Sequence, residues 1–198
     1  LGIEIPAELV PVYQKKMIAI CRKYGKPVIT ATQMLDSMIR NPFPTRAEVS
    51  DVAWAIEEGS DAVMLSGESA NGLYPADSVE MQARIASAIE NQFDYKTAYK
   101  SAFDSSEKTV SDAIANAVAE TAQIINAKLI VCISYSGATA RRIARTRPVC
   151  PVFVVSSDIN TLKHIMLYYG NYPYHVNSLP QFTEEMEVLA IKIAKDYN

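Results

Sequence analysis

An α/β protein with parallel strands is the architecture this sequence predicts, on three observations. Apolar residues recur at helical spacing in long stretches, these alternate with short β-branched runs, and the connections between them are brief. Pro11 suits the first turn of a helix, where an N–H has no partner to lose, and Gly25 suits its left-handed close. Between them Val12, Met17, Ile18, Ile20 and Cys21 form a broad apolar face. Val28 to Thr32 reads as a strand. Val49, Val52, Ala53 and Ile56 then mark a second amphipathic helix, Ala62 to Leu65 a second strand, and Val79 to Ile89 a third helix.

From Phe93 to Lys108 the pattern lapses into mixed Asp, Ser, Lys and Tyr, which makes this stretch the expected domain boundary. The pattern then restarts. Thr109 is placed to cap a helix whose stripe is Val110, Ile114, Val118 and Ile125, and an apolar strand follows at Leu129. Further strands are expected at Val152 to Val155 and Tyr174 to Val176, with helices at Ala138 to Thr146, Asn160 to Tyr168 and Glu184 to Tyr197.

Composition narrows the function classes. With 198 residues, 49% of them hydrophobic, and a net charge of −3, the chain is long enough for one large or two small globular domains. Neither a nucleic-acid partner nor a membrane is expected: there is no basic excess, and the apolar runs have strand length, far short of the ~20 residues that span a bilayer. Cys21, Cys132 and Cys150 are an odd number in apolar surroundings, so buried reduced thiols are expected, which points to the cytosol.

Three motifs carry chemistry in the first half: PVITATQMLDS (Pro27 to Ser37), PTRAE (Pro44 to Glu48) and LSGESA (Leu65 to Ala70). In this order and at these separations they resemble the late catalytic barrel of the pyruvate kinase family, and LGIEIP at Leu1 resembles the tail of a segment preceding it. The resemblance covers nearly the whole chain. It implies a partial (β/α)8 barrel of about two strands and three helices over residues 1–92, followed by an incomplete three-layer α/β regulatory domain over residues 93–198, with the chain cut at both ends. A full barrel needs about 250 residues.

The resemblance implies phosphoryl transfer from phosphoenolpyruvate to ADP, with Mg2+ and K+ as cofactors of the parent enzyme, a homotetramer and a cytoplasmic location. Thr32, Ser66 and Glu68 are its implied catalytic residues, Thr32 and Gln33 its substrate contacts, and Arg46 a subunit contact that is equally well a surface arginine. Thr32 would help protonate the enolate, a task for a hydroxyl that both accepts and donates within a hydrogen-bond chain. No metal site is expected within this chain, because the family's metal ligands and catalytic lysine match nothing here. The chain alone is therefore expected to be inactive.

A fourth motif, SYSGAT (Ser134 to Thr139), lies between an apolar strand and a helix, where backbone N–H groups and short hydroxyls cradle a phosphate or simply form a capped turn. By resemblance it is the family's loop for a phosphorylated sugar effector, with Ser134, Ser136, Gly137 and Thr139 as ligands. Tyr135 and Ala138 stand where members that respond to fructose bisphosphate often carry cations, so a monophosphate fits better. Arg141, Arg142, Arg145 and Arg147 read mostly as a solvated helix face. The same loop pattern also resembles sugar isomerase domains, which leaves a stand-alone phosphosugar-binding module, or an assembly module, as alternatives.

Overall fold

The computed structural model describes residues 3–197; Leu1 and Gly2, which open the LGIEIP segment, and Asn198 lie outside the described residues. The chain divides into two compact units, Leu1–Asp94 and Tyr95–Asn198, each built on its own parallel sheet.

In the first unit a 3-10 turn at Ala7–Leu9 leads into α1 (Val10–Lys23), with Pro11 in the first turn. Gly25 closes the helix at φ +60°, and the N–H groups of Gly25 and Lys26 donate to the carbonyls of Arg22 and Cys21. Strand β1 (Ile29–Ala31) follows. A 3-10 turn at Asp36–Ile39 and helix α2 (Arg46–Glu57) then lead to β2 (Ala62–Met64), which pairs with β1 in parallel, Ile29 opposite Ala62 and Ala31 opposite Met64. The single turn α3 (Gly67–Ala70) and α4 (Pro75–Glu90) complete the unit, with α4 packed on α2. Its core joins Val52, Ala55 and Ile85 to Met34, Leu35 and Met38. Three of these side chains come from the segment just after β1. That loop is therefore anchored by burial, at about 1.5–3 kcal/mol for each large apolar side chain.

The expected face of α1 is buried only at Ile18; Val12, Met17 and Ile20 are exposed. A helix gains burial only along the row that meets a neighbour, and among the described residues nothing covers the rest.

The second unit opens with α5 (Tyr95–Ser105), a helix within the Phe93 to Lys108 stretch, where the sequence shows little periodicity. Its buried row is Ala98 and Ala102, one turn apart, so the helical signal is carried by small residues among polar ones. Next come α6 (Val110–Ile124), β3 (Ile130–Ile133), α7 (Ala138–Arg145), β4 (Val152–Ser156), α8 (Ile159–Ile165), β5 (Asn171–His175) and α9 (Thr183–Tyr197). The strands lie in the order β3, β4, β5, all parallel. Among the described residues β5 is an edge strand, and there the missing N–H of Pro173 breaks no shared ladder. On one face Ile130, Cys132, Val152 and Val154 pack with residues of α6, α7 and α8. On the other, Phe153 stacks on Tyr172 and meets Tyr197 of α9 edge to face. The result is a three-layer α/β unit. Cys132 and Cys150 are buried thiols, with burial pushing Cys132 up to about 11, while Cys21 is half-buried. No helix of the described residues is long and apolar enough to cross a membrane.

Thr109 caps α6, accepting from the Asp112 N–H at 3.2 Å. The helix, however, is turned from the expected orientation: Val110, Ile114 and Ile125 are exposed, and the buried row is Ala115, Ala119 and Ala122. Small residues let α6 approach α7, whose Ala140 and Ala144 are buried in turn. A buried ion pair fixes that orientation. Arg145 Nη2 lies 2.8 Å from Asp112 Oδ1, with both side chains almost wholly buried, and Arg142 Nε adds a contact at 3.5 Å. Burial opposes the charge on Asp112, yet the Thr109 hydroxyl and the two arginines hold its carboxyl below the ordinary range. The arginines read as solvated thus divide: Arg141 is exposed, Arg145 belongs to this pair, and Arg147 is buried with its guanidinium 4.3 Å from the Tyr169 ring centre.

Asp112→Ala takes from the buried Arg145 its ion-pair partner and should destabilise the second unit by roughly 3–5 kcal/mol. Adding Arg145→Met should recover part of the loss. Denaturant titration of the single and double variants checks both outcomes.

Candidate functional site

Because β1 and β2 run in parallel with Ala31 opposite Met64, the segments beyond them, Thr32–Gln33 and Leu65–Ser66, leave the same end of the sheet. Thr32 and Gln33 both have positive φ, 75° and 55°. Left-handed backbone costs a non-glycine residue of order 1–3 kcal/mol, most for a β-branched one, and persists where the surroundings overdetermine it. Both residues are exposed and border a cleft of about 260 Å3 together with Thr30, Gln14, Asp51 and Trp54.

Two carboxylates hold this strand end. Glu68, 1% exposed, accepts the Leu35 N–H on Oε1 at 3.0 Å and the Ser66 N–H on Oε2 at 2.8 Å. It ties the loop after β1 to the loop after β2. Burial would raise its pKa, and the nearby Glu48 charge adds to that, but the backbone N–H bonds of Glu68 itself, Leu35 and Ser66 prevail and hold it low. Gly67 lies close against the Ile39 side chain: a Cβ there would sit 2.9 Å from Ile39 Cδ1, a terminal methyl that can shift to make room.

Glu48 holds the far end of the same loop. Its Oε1 accepts the Ser37 N–H at 2.7 Å; its Oε2 accepts the Ser37 hydroxyl at 2.6 Å, the Thr45 N–H at 2.7 Å and the Thr45 hydroxyl at 2.9 Å. Thr45 and Glu48 also form a reciprocal capping box at the start of α2. Against the opposing effect of burial, these bonds hold the Glu48 carboxyl below the ordinary range. Glu48 is not among the site residues expected from the sequence, although Thr-x-x-Glu ahead of an apolar helix is the pattern that reveals a capping box. Arg46 is exposed in the first turn of α2.

Among the described residues there is no group of three or more His, Cys, Asp or Glu able to hold a metal ion. The hydrogen bonds of Glu48 and Glu68 go to N–H and O–H donors of the strand-end loops, which ties these carboxylates to the loops that they hold.

In the second unit, Ser134 to Thr139 connects β3 to α7. Ser134 is buried, while Ser136 and Thr139 are exposed. Gly137 has φ +72° at the helix N-cap position, and a Cβ there would lie 2.8 Å from Ile165 Cγ2, so the turn needs glycine for conformation and for space. No side chain caps α7. The Ser156 hydroxyl donates to the Tyr135 carbonyl at 3.3 Å, linking the loops after β3 and β4.

Comparison with known proteins gives concordant matches. The family profile described as "Pyruvate kinase, barrel domain" matches residues 1–79, and "Pyruvate kinase, alpha/beta domain" matches residues 112–198. The pyruvate kinase of Sporosarcina psychrophila is 49% identical over 173 residues, 87% of this chain and 30% of its own length. That of Geobacillus stearothermophilus is 45% identical over 197 residues, 98% of this chain and 33% of its own. A crystal structure of a Cryptosporidium parvum pyruvate kinase superposes with a TM-score of 0.95 at 42% identity, covering 100% of this chain and 40% of that one. The chain spans about a third of the length of the curated relatives it matches.

Both glutamates have folded-state pKa values below their unfolded ones, so their contribution to stability is complete above the unfolded value of about 4.3 and is lost as pH falls through the lowered folded values. Glu68→Gln should lower stability near neutral pH by about 1–3 kcal/mol, through unsatisfied buried N–H groups, and should flatten the acid limb. Thermal unfolding followed between pH 7 and pH 3 checks both.

Proposed function

This chain belongs to the pyruvate kinase family, and from that premise we propose that it supplies one wall of the phosphoenolpyruvate pocket and the effector domain of an enzyme that makes pyruvate and ATP from phosphoenolpyruvate and ADP. One observation carries the reading: a strained Thr32–Gln33 pair at the carboxyl end of β1, beside a cleft and level with Ser66 at the end of β2. The carboxyl ends of barrel strands are where such enzymes place their chemistry.

In this reading phosphoryl transfer leaves the enolate of pyruvate, whose methylene carbon must then take a proton. The Thr32 hydroxyl donates along a hydrogen-bond chain and is reprotonated from water, since its own pKa is far from neutrality. Gln33 orients the substrate. Ser66 belongs to the same network, and Glu68 acts through the loops it ties. Mg2+ and K+ belong to this reading as cofactors of the whole protein, and no step assigned to these residues runs through them. Arg46, exposed at the start of α2, is the residue offered to a second subunit of a homotetramer.

The SYSGAT loop takes the phosphate of an effector. Support comes from the tight turn at Gly137 and the uncapped N-terminus of α7. Inorganic phosphate and a hexose monophosphate at millimolar concentration should shift the amide resonances of residues 134–139; unchanged resonances with both would reduce the loop to a structural turn.

For the reaction, Thr32→Val in the full-length protein should lower kcat by about a hundredfold or more in a coupled lactate-forming assay. Thr32→Ser, which keeps the hydroxyl, should retain most of the rate. Wild-type turnover in the valine variant would remove Thr32 from the chemistry.

A further inference from the structure

We propose that Glu48 is a positioning residue for the strand-end loop, fixing the left-handed backbone of Thr32 and Gln33 through the 3-10 turn that follows them. The significance for catalysis rests on the reading of Thr32 given above; the geometry stands apart from it. Two carboxylates grip the segment from Thr32 to Ile39 at successive points, Glu68 at Leu35 and Glu48 at Ser37. Between and around those points Met34, Leu35 and Met38 are buried in the core. Thr32 and Gln33 are themselves exposed. The conformation they adopt must therefore be imposed from the chain on either side, by β1 before them and by the gripped turn after them.

The chemistry of Glu48 is more demanding than that of a helix cap. A cap needs one acceptor, whereas here one side chain receives the N–H and hydroxyl of Ser37 together with the N–H and hydroxyl of Thr45. Only a carboxylate offers acceptors on both oxygens; a glutamine presents one oxygen and turns its NH2 toward groups that also donate. Aspartate is a methylene too short to reach Ser37 while keeping the capping box. The structure thus joins the start of α2 to the turn after β1 through a single side chain, and that bond network makes the loop and the helix one element.

The test compares wild type, Glu48→Gln and Ser37→Ala by NMR of the 198-residue chain and by kinetics of the full-length protein. Ser37→Ala removes one hydroxyl and is the milder variant should Glu48→Gln unfold. In both variants the HN–Hα couplings and Cα shifts of Thr32 and Gln33, which report φ, should move away from left-handed values. The Leu35 amide should exchange at least tenfold faster, while amides of α4 keep their wild-type rates. In the kinetics kcat should fall about tenfold with the KM for phosphoenolpyruvate changed less than threefold. Changes confined to Thr45 and the first turn of α2 would overturn the proposal and leave Glu48 a helix cap, and so would a uniform rise in exchange across the unit. If wild-type protein fails to turn over phosphoenolpyruvate, the reading of the reaction falls, and the shifts and exchange rates still decide the role of Glu48.

Discussion

Backbone N–H groups in short loops at the end of a parallel sheet have no ladder to join, and in the first unit that need is met by two carboxylates. Glu68 takes the N–H groups of Leu35 and Ser66; Glu48 takes those of Ser37 and Thr45. The Leu35 N–H, buried, would carry a desolvation penalty of about 1–3 kcal/mol if left unpaired, so the loop after β1 would rearrange to find another acceptor. With the carboxylates in place, Met34, Leu35 and Met38 are presented to the core and Thr32 is held outside it. Packing and polar satisfaction thus select the same loop conformation, and the strain at Thr32 and Gln33 is the residue of that agreement.

The second unit meets a comparable constraint differently. Alanines on α6 and α7 permit close approach, and Asp112 with Arg145 sets which face of α6 turns inward. Exchanging a large apolar stripe for alanines gives up buried area. In return the helices come close enough to bury an ion pair beside the sheet, leaving Ile114, Val118, Ile125 and Leu129 around an apolar groove of about 400 Å3.

Much of this was legible from residue order. The alternation of patterns gave both parallel sheets, and Pro11, Gly25 and Thr109 marked helix ends where the structure has them. What escaped had weak or competing signals. Helix α5 buries only alanines, which barely register in an apolar pattern, and in α6 the larger side chains drew attention to the wrong face. Buried Arg145 and Arg147 look like surface residues until their partners, Asp112 and Tyr169, are known from tertiary structure. At the candidate site the motifs identified Thr32, Gln33, Ser66 and Glu68 as residues to watch. The positive φ at Thr32 and Gln33 had no local cue, since neither is glycine or asparagine; it arises from contacts made well along the chain.

Trp54 is the one tryptophan of the sequence, and it borders the cleft beside Thr32 and Gln33. Indole emission from these 198 residues therefore originates wholly in the first unit, at the edge of the candidate site, whereas the second unit contributes only tyrosine. A spectrometer exciting near the red edge of the absorption band sees one half of the molecule and is blind to the other. Circular dichroism sees both, so a gap between the two signals on heating or in denaturant would separate the melting of one sheet from that of its neighbour without a label or a substitution.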